Sequence, residues 1–282
     1  MFEIANLIPP RVINHLSEKE INYLNVIFTR FNGFPNLKQI WQLMDEVWIE
    51  YGCDPKKFDN RALSFYNHPI WLLNGLFIEQ DSESINNRVA FADWVVKQSP
   101  IRIADFGGGF GGLARLIGHS NRNIEIDIVE PHPHPAVKSL ISDTANIKYF
   151  SELNGKYDIL IATDVFEHVE DPINLVATTS EYLRVGGYYL IANCFQPVVL
   201  CHLPQHFHLS ISWDFIMRAL GLEPREKIKY GRVYKRLGSL DIKSANKVIK
   251  TSKKLYFWIK YLPKGQVRIG KFILKIHFLT NY

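Results

Sequence analysis

Apolar positions in the first hundred residues recur at helical intervals. Leu37, Ile40, Trp41, Met44 and Trp48 stand at i, i+3, i+4, i+7 and i+11, one face of a helix that Tyr51-Gly52 closes. Upstream, Ser17-Glu18-Lys19-Glu20 has capping-box spacing, and Ile21, Leu24 and Phe28 follow on one face. The stretch Phe65–Trp71 is aromatic and interrupted by Pro69, which predicts an ordered loop or a broken helix. Ser84 is the expected cap of a further helix, with Ile85, Val89, Ala92 and Val96 turned inward.

From Ile101 the pattern becomes alternating strand and helix. Ile101–Phe106 reads as a strand, followed by a glycine cluster and a helix bearing Leu113, Leu116 and Ile117. Ile124–Val129, Ile147–Phe150 and Tyr157–Thr163 read as strands, with a helix over Ala136–Ile141. Asp171-Pro172 opens another helix, with Asp at the N-cap and Pro at the first helical position. Gly186-Gly187 is expected to turn the chain into the strand Tyr188–Ala192. Trp213, Ile216, Met217 and Leu220 have helical spacing, and two strands around Arg225–Tyr230 and Val233–Leu237 meet at Gly231. Repeated strand–helix units predict an α/β fold with a mostly parallel sheet covered on both faces and a closing hairpin beside it. Residues 1–98 would form an N-terminal helical cap, 99–240 the core, and 241–282 a C-terminal extension.

With 47% apolar and 22% charged residues the composition is that of an ordinary globular chain, which excludes a disordered or fibrous protein. Apolar runs stay below the roughly 18 residues that span a bilayer. The N-terminus lacks the basic, apolar and cleavage segments of a secretory signal. Three cysteines without a CxxC pair make no disulfide framework, so a cytoplasmic setting is expected. The net charge of +5 hides an asymmetry: Ile242–Tyr282 carries ten Lys or Arg and no acid, whereas the preceding residues carry 23 basic and 28 acidic groups. In Lys247–Lys260 basic and aromatic residues interleave. That suits a helix on an anionic membrane surface, as a peripheral site on the inner face of the cell membrane, or an appendage packed on the core or a second subunit. No nucleic-acid module accompanies it.

The candidate chemistry centres on Asp105-Phe106-Gly107-Gly108-Gly109-Phe110-Gly111-Gly112, between a strand and a helix. Gly107, Gly109 and Gly112 satisfy GxGxxG, so a dinucleotide-binding oxidoreductase, with pyrophosphate on the helix N-terminus and Glu130 on the ribose, is one reading. Against it, Asp105 stands two residues before the first glycine, where it would attract a cationic ligand group such as a methionine ammonium.

The ordered series ADFGGGFGG, IDIVE ending at Glu130, YDILIATDVFEHVEDP and YLRVGGYYLIAN resembles the class I S-adenosylmethionine (SAM) dependent methyltransferases, ubiquinone-type O-methyltransferases among them. The resemblance covers roughly residues 90 to 238 and implies a Rossmann-like sheet of seven strands with an antiparallel seventh. It implies SAM as cofactor, with Asp105, Phe106, Gly107, Gly108 and Gly109 along its methionine and ribose portions and Glu130 on the ribose hydroxyls. Glu152 and Leu153 would cover the adenine, and Asp164, Val165 and Phe166 would lie near the sulfonium. The expected reaction is O-methylation of a small molecule or glycan, with S-adenosylhomocysteine (SAH) as product. A catalytically silent SAM-binding partner subunit is a further alternative.

Methyl transfer to oxygen usually needs a base, and His168, His206 and His208 are the candidates. A structural role near the cofactor suits His168 as well. The aromatic cluster at Phe65–Trp71 offers Tyr66, His68 and Asn74 as acceptor contacts, with stacking surfaces suited to a sugar. Cys201, His202, His206 and His208 are competent metal ligands, but structural zinc sites pair ligands at two separate points, so no metal site is expected. His132 and His134, set among prolines, are expected in a rigid exposed turn.

Overall fold

A computed structural model describes residues 7–131 and 133–260; His132 and the stretch 261–282 of the basic extension lie outside the described residues. The chain divides into two compact units, one running to Asn154 and including Val198–Cys201, the other comprising Gly155–Pro197 and the chain from His202.

The first unit opens with six helices: α1 (Pro10–Ile13), α2 (Glu18–Phe31), α3 (Leu37–Glu50), α4 (Asn60–Tyr66), α5 (Pro69–Gln80) and α6 (Ser82–Lys97). The capping box of α2 forms as its sequence predicts: the Glu20 amide donates to the Ser17 hydroxyl, and Glu20 accepts from the Ser17 amide at 2.7 Å. Asn36 and Gln39 repeat the arrangement at α3. The aromatic segment is a broken helix. His68 ends α4's turn and caps α5, its Nδ1 accepting from the Ile70 amide at 3.0 Å, while Pro69 takes the first helical position. One expectation for α6 fails and another holds only in part. Asp81, not Ser84, is the N-cap, its carboxylate accepting from the Ser84 amide at 2.8 Å. The inward face is Phe91, Ala92, Trp94 and Val95, with Val89 exposed. A helix buries the stripe its neighbours reach, and here the larger aromatic side chains occupy it. The core of these helices is built on Leu24, Phe28, Ile40, Phe65, Ile70 and Leu73.

Three parallel strands follow, β1 (Arg102–Phe106), β2 (Glu125–Val129) and β3 (Ile147–Phe150), joined through α7 (Gly112–Ser120) and the short α8 (Pro135–Ser139). His134 is the N-cap of α8 and its Nε2 lies 2.7 Å from Glu20 Oε1, so it belongs to a helix start rather than a free turn.

The second unit carries β4 (Tyr157–Thr163), α9 (Pro172–Ser180), β5 (Leu183–Ala192), α10 (Leu209–Leu220), β6 (Leu222–Ile228), β7 (Gly231–Arg236) and α11 (Ile242–Lys260). Asp171 caps α9 as expected, accepting from the Asn174 amide at 3.0 Å. Gly186-Gly187 does not precede the strand but lies inside β5, where the pairing with β4 shifts register between Tyr157 and Ile159. A Cβ at Gly187 would stand 2.7 Å from the Asp158 carbonyl, so the close approach of backbones, not a turn, requires glycine there. β5 and β4 are parallel; β7 pairs antiparallel with both β5 and β6. Arg236, buried, donates to the carbonyls of Ser180 at 2.6 Å and Leu183 at 2.7 Å and so satisfies the end of α9. The strand order is β3-β2-β1-β4-β5-β7-β6, a mixed seven-stranded sheet of Rossmann-like methyltransferase type. The order reverses at β1, the place where open α/β sheets bind ligands.

Candidate functional site

In the first unit the carboxyl end of β1 runs into the glycine loop. Phe106 pairs with Val129, and the Gly107 amide donates to the Val129 carbonyl at 2.9 Å. The loop then folds on itself, the Gly111 amide donating to the Gly108 carbonyl at 2.8 Å. Gly107 and Gly109 have φ of 71° and 49°, a region that strains other residues. At Gly108 the constraint is space: a Cβ would stand 2.7 Å from Asp105 Oδ2. The Tyr149 hydroxyl donates to the Gly109 carbonyl at 2.9 Å and holds the turn from β3.

Asp105 is 2% exposed. Burial pushes its carboxyl up to about 7, against the pull of the Arg88 guanidinium and with the added repulsion of Glu130. A buried acid poised in this way favours a cation beside it. Glu130 lies one residue past the last pair of β2 with β1, half-buried, its amide tied to the Phe150 carbonyl at 2.9 Å. The two acids therefore occupy the carboxyl ends of adjacent parallel strands. Leu153 is buried and Glu152 exposed just beyond β3. Behind the loop, Glu79 on α5 pairs with Arg88 on α6 at 2.8 Å and with Arg115 on α7. Phe110 rests against α5 at Gly75, which leaves room for its ring. Tyr66 stands 5.1 Å from Trp71, ring to ring, and His68 sits edge-on to Tyr23 at 4.9 Å, where burial lowers its pKa; Asn74 is half-buried on α5.

In the second unit Asp164 follows directly on β4, with a φ of 54° that is rare outside glycine. Val165 follows, half-buried, and Phe166 is fully buried against Trp213. The Tyr230 hydroxyl donates to Asp164 Oδ2 at 2.8 Å. Glu167 is 1% exposed; its Oε1 accepts from the Cys194 amide at 2.7 Å. Burial, with the repulsion of the exposed Asp164 beside it, raises the Glu167 carboxyl to about 8, and the two carboxyls hydrogen-bond each other with the proton held on Glu167. The half-buried His168 ring lies 4.9 Å from that of His202. His202, which shares a sequence cluster with Cys201, His206 and His208, thus stands with Glu167 and His168.

The other two histidines are held by separate bonds. His206 Nε2 donates to the Val169 carbonyl at 2.8 Å. His208 Nδ1 stands 2.8 Å from the Ser252 hydroxyl, which donates to Ser212, which donates to the His208 carbonyl. That closed chain makes Nδ1 the donor and staples α11 to α10. Burial, together with the charges of Lys253 and His206, lowers His208 to about 3. Both rings line a cavity of about 410 Å³ with Glu170 and Lys253. Tyr230 and Glu167, which bond Asp164, and Tyr149, which bonds the glycine loop, touch the candidate residues and were passed over in the sequence reading. Glu167 had a signal in the FEH step of its motif; the two tyrosines, far away in sequence, had none.

A methyltransferase domain model matches residues 77–228, more than half of the chain. No curated protein sequence matches it. Among solved structures, a protein assigned as an O-methyltransferase from Nostoc punctiforme is 14% identical over 69% of this chain and 70% of its own, with a TM-score of 0.49. The O-methyltransferase NcsB1 of neocarzinostatin biosynthesis, solved with SAM and 2-hydroxy-5-methyl naphthoic acid, is 16% identical over 68% and 60%, with a TM-score of 0.47. A Burkholderia thailandensis 1,6-didemethyltoxoflavin N1-methyltransferase with bound SAH is 14% identical over 62% and 85%, with a TM-score of 0.45. The chain belongs to the methyltransferase domain family. It is a SAM-dependent methyltransferase, and the dinucleotide-dependent oxidoreductase reading falls away.

Proposed function

We propose that the chain moves the methyl group of SAM onto an oxygen atom of a small-molecule or glycan acceptor. The observation that carries the reading is the acidic pair at the ends of β1 and β2, Asp105 buried beneath the glycine loop and Glu130 half-buried beside it. Asp105 takes the methionine ammonium, whose charge favours the ionised carboxylate. Phe106, Gly107, Gly108 and Gly109 bring backbone close to the ligand, and the space above Gly109 is open, since a Cβ there meets nothing within 4 Å. Glu130 takes the ribose hydroxyls, and Glu152 and Leu153 flank the adenine. Asp164, Val165 and Phe166 follow the family motif toward the methionine end.

SAM supplies a methyl already activated on a sulfonium, so the chain's tasks are to align the acceptor and exclude water. The acceptor oxygen bonds the methyl carbon as the carbon–sulfur bond breaks, and the acceptor's proton passes to a base. His206 is the proposed base of the two loop histidines: the bond from its Nε2 to Val169 leaves the lone pair on Nδ1. His208, at about 3, is too weak a base near neutrality. Tyr66, His68 and Asn74 are the proposed acceptor contacts, Tyr66 in an aromatic cluster suited to stacking on a sugar ring.

The test is calorimetric titration with SAH and separately with NAD and NADP, repeated on Glu130→Ala. Micromolar SAH binding that disappears in the variant is expected. Nicotinamide binding without SAH binding would sink the reading, and SAH binding without turnover on any acceptor pool would point to a silent subunit.

A second part of the reading concerns α11. It buries Ala245, Val248 and Ser252 and leaves Phe257 55% and Trp258 69% exposed among exposed lysines. Among the described residues no helix is long and apolar enough to cross a membrane. We infer that α11 makes peripheral contact with an anionic membrane surface, the inner leaflet of the cell membrane being the natural candidate. Co-sedimentation with vesicles containing phosphatidylserine, lost on Trp258→Glu and in high salt, is expected; equal recovery with uncharged vesicles would count against it.

A further inference from the structure

We propose that Glu167, His168 and His202 hold a divalent transition-metal cation. One ligand atom from each lies within 4.8 Å of the others. Zinc–nitrogen and zinc–oxygen bonds are about 2.0–2.2 Å, so ligand atoms around one tetrahedral ion stand about 3.3–3.6 Å apart. Side-chain rotations that draw the atoms together by about an ångström close the set. The three come from two segments, the turn after β4 and the loop after β5, so the cluster is a product of the fold rather than of local sequence.

Two of the ligands are already oriented as metal ligands are. His202 Nδ1 donates to the Gln196 carbonyl at 2.9 Å, which fixes the tautomer and places the lone pair on Nε2. A backbone carbonyl behind the far nitrogen is the arrangement that metal-bound histidines adopt. Glu167, 1% exposed, is held by the Cys194 amide at 2.7 Å and by the Asn193 amide, with its nitrogen turned toward Oε2, at 3.3 Å. Among the described residues neither Glu167 nor its neighbour Asp164 forms an ion pair with lysine or arginine. The buried Glu167 therefore has no cationic side chain beside it, and a divalent cation would supply the charge that its ionised form needs. Two imidazoles and one carboxylate suit zinc and its first-row neighbours; calcium and magnesium prefer all-oxygen sets.

Three protein ligands leave a position for an exogenous oxygen. A hydroxyl of the acceptor bound there becomes more acidic and is held for attack on the methyl group. This role rests on the methyl-transfer reading above; the metal site itself does not.

The experiment is calorimetric titration of tag-free, chelator-stripped full-length chain with Zn²⁺ alone and, separately, with SAH. It is run on the wild type, Glu167→Gln, His202→Asn and the control His206→Gln. One Zn²⁺ per chain is expected, bound as tightly in the control as in the wild type. In Glu167→Gln and His202→Asn it should weaken by more than the about 10–100-fold that loss of an outer-shell partner brings. Absence of stoichiometric binding, or binding that the two ligand variants leave unchanged, overturns the proposal. Zinc binding without SAH binding would leave the metal site standing and overturn the methyl-transfer reading alone. Should a ligand variant fail to fold, X-ray absorption of the zinc-loaded wild type decides. Imidazole scattering from two histidines supports the site, and a shell without it overturns it.

Discussion

Gly75 lies in the middle of α5, a position where alanine would ordinarily be preferred. Replacing glycine by alanine inside a helix stabilises it by about 1 kcal/mol through backbone entropy. At this site, however, the added Cβ would stand 2.6, 2.8 and 2.9 Å from three carbons of the Phe110 ring. Carbon atoms prefer about 3.5–4.0 Å, so ring or helix must give way by roughly an ångström. Overpacking of this kind costs about 1–3 kcal/mol. The two effects oppose, and the clash wins: Gly75→Ala should destabilise by about 0–2 kcal/mol. In a Phe110→Ala background the clash is gone and the sign reverses, with Gly75→Ala stabilising by up to about 1 kcal/mol. Urea unfolding of the four proteins in the double-mutant cycle measures this directly. Because Phe110 belongs to the glycine loop, SAH affinity should fall in Gly75→Ala alone. Destabilisation of equal size in both backgrounds would refute the packing argument, as would a gain of stability in the wild type.

Asp105 should make SAH binding depend on pH. Its free-state value of about 7 means that below neutrality an incoming ammonium must displace a proton, so affinity should fall by up to about tenfold per pH unit below 7. Calorimetry at pH 6.5 in buffers of different ionisation enthalpy reads the released proton, and Asp105→Asn should abolish the dependence. The same shift lowers stability as pH rises from about 4 to about 7, since there the unfolded chain has lost the proton that the native state keeps. His208 acts in the opposite direction. Its native value of about 3 lies below the ordinary 6.5, so the unfolded chain takes up the proton first. Stability is then lost as pH falls from 6.5 toward 3, by up to about 1.4 kcal/mol per pH unit. Urea midpoints at pH 7 and pH 5 should drop less in His208→Gln than in the wild type; equal drops would show that this histidine is not held neutral.

Much of the fold is legible in residue order because its signals are local. Ser17 and Glu20 reach each other across one helical turn, Asp171 and Pro172 mark a helix start by themselves, and the bounds of β3 and β4 follow from runs of apolar side chains. The glycine loop is legible for the same reason, since Asp105 and the glycines that accommodate it are three residues apart. Where local signals compete, order alone misleads: Ser84 looked like a cap beside Asp81, and Gly186-Gly187 looked like a turn although β5 runs through it. Which nearby acid captures the free amides, and whether two glycines bend or admit a neighbouring strand, depends on atoms supplied by other segments.

The chain's own sequence thus determines the family, the glycine loop and most of the element boundaries, each through contacts a few residues apart. The tertiary structure decides which distant groups meet. Tyr230 reaches Asp164 across 66 positions, His202 joins Glu167 and His168 rather than His206 and His208, and Ser252 accepts a hydrogen bond from a histidine 44 residues earlier. Those pairings follow from strand order and helix packing, and no spacing in a linear sequence encodes them.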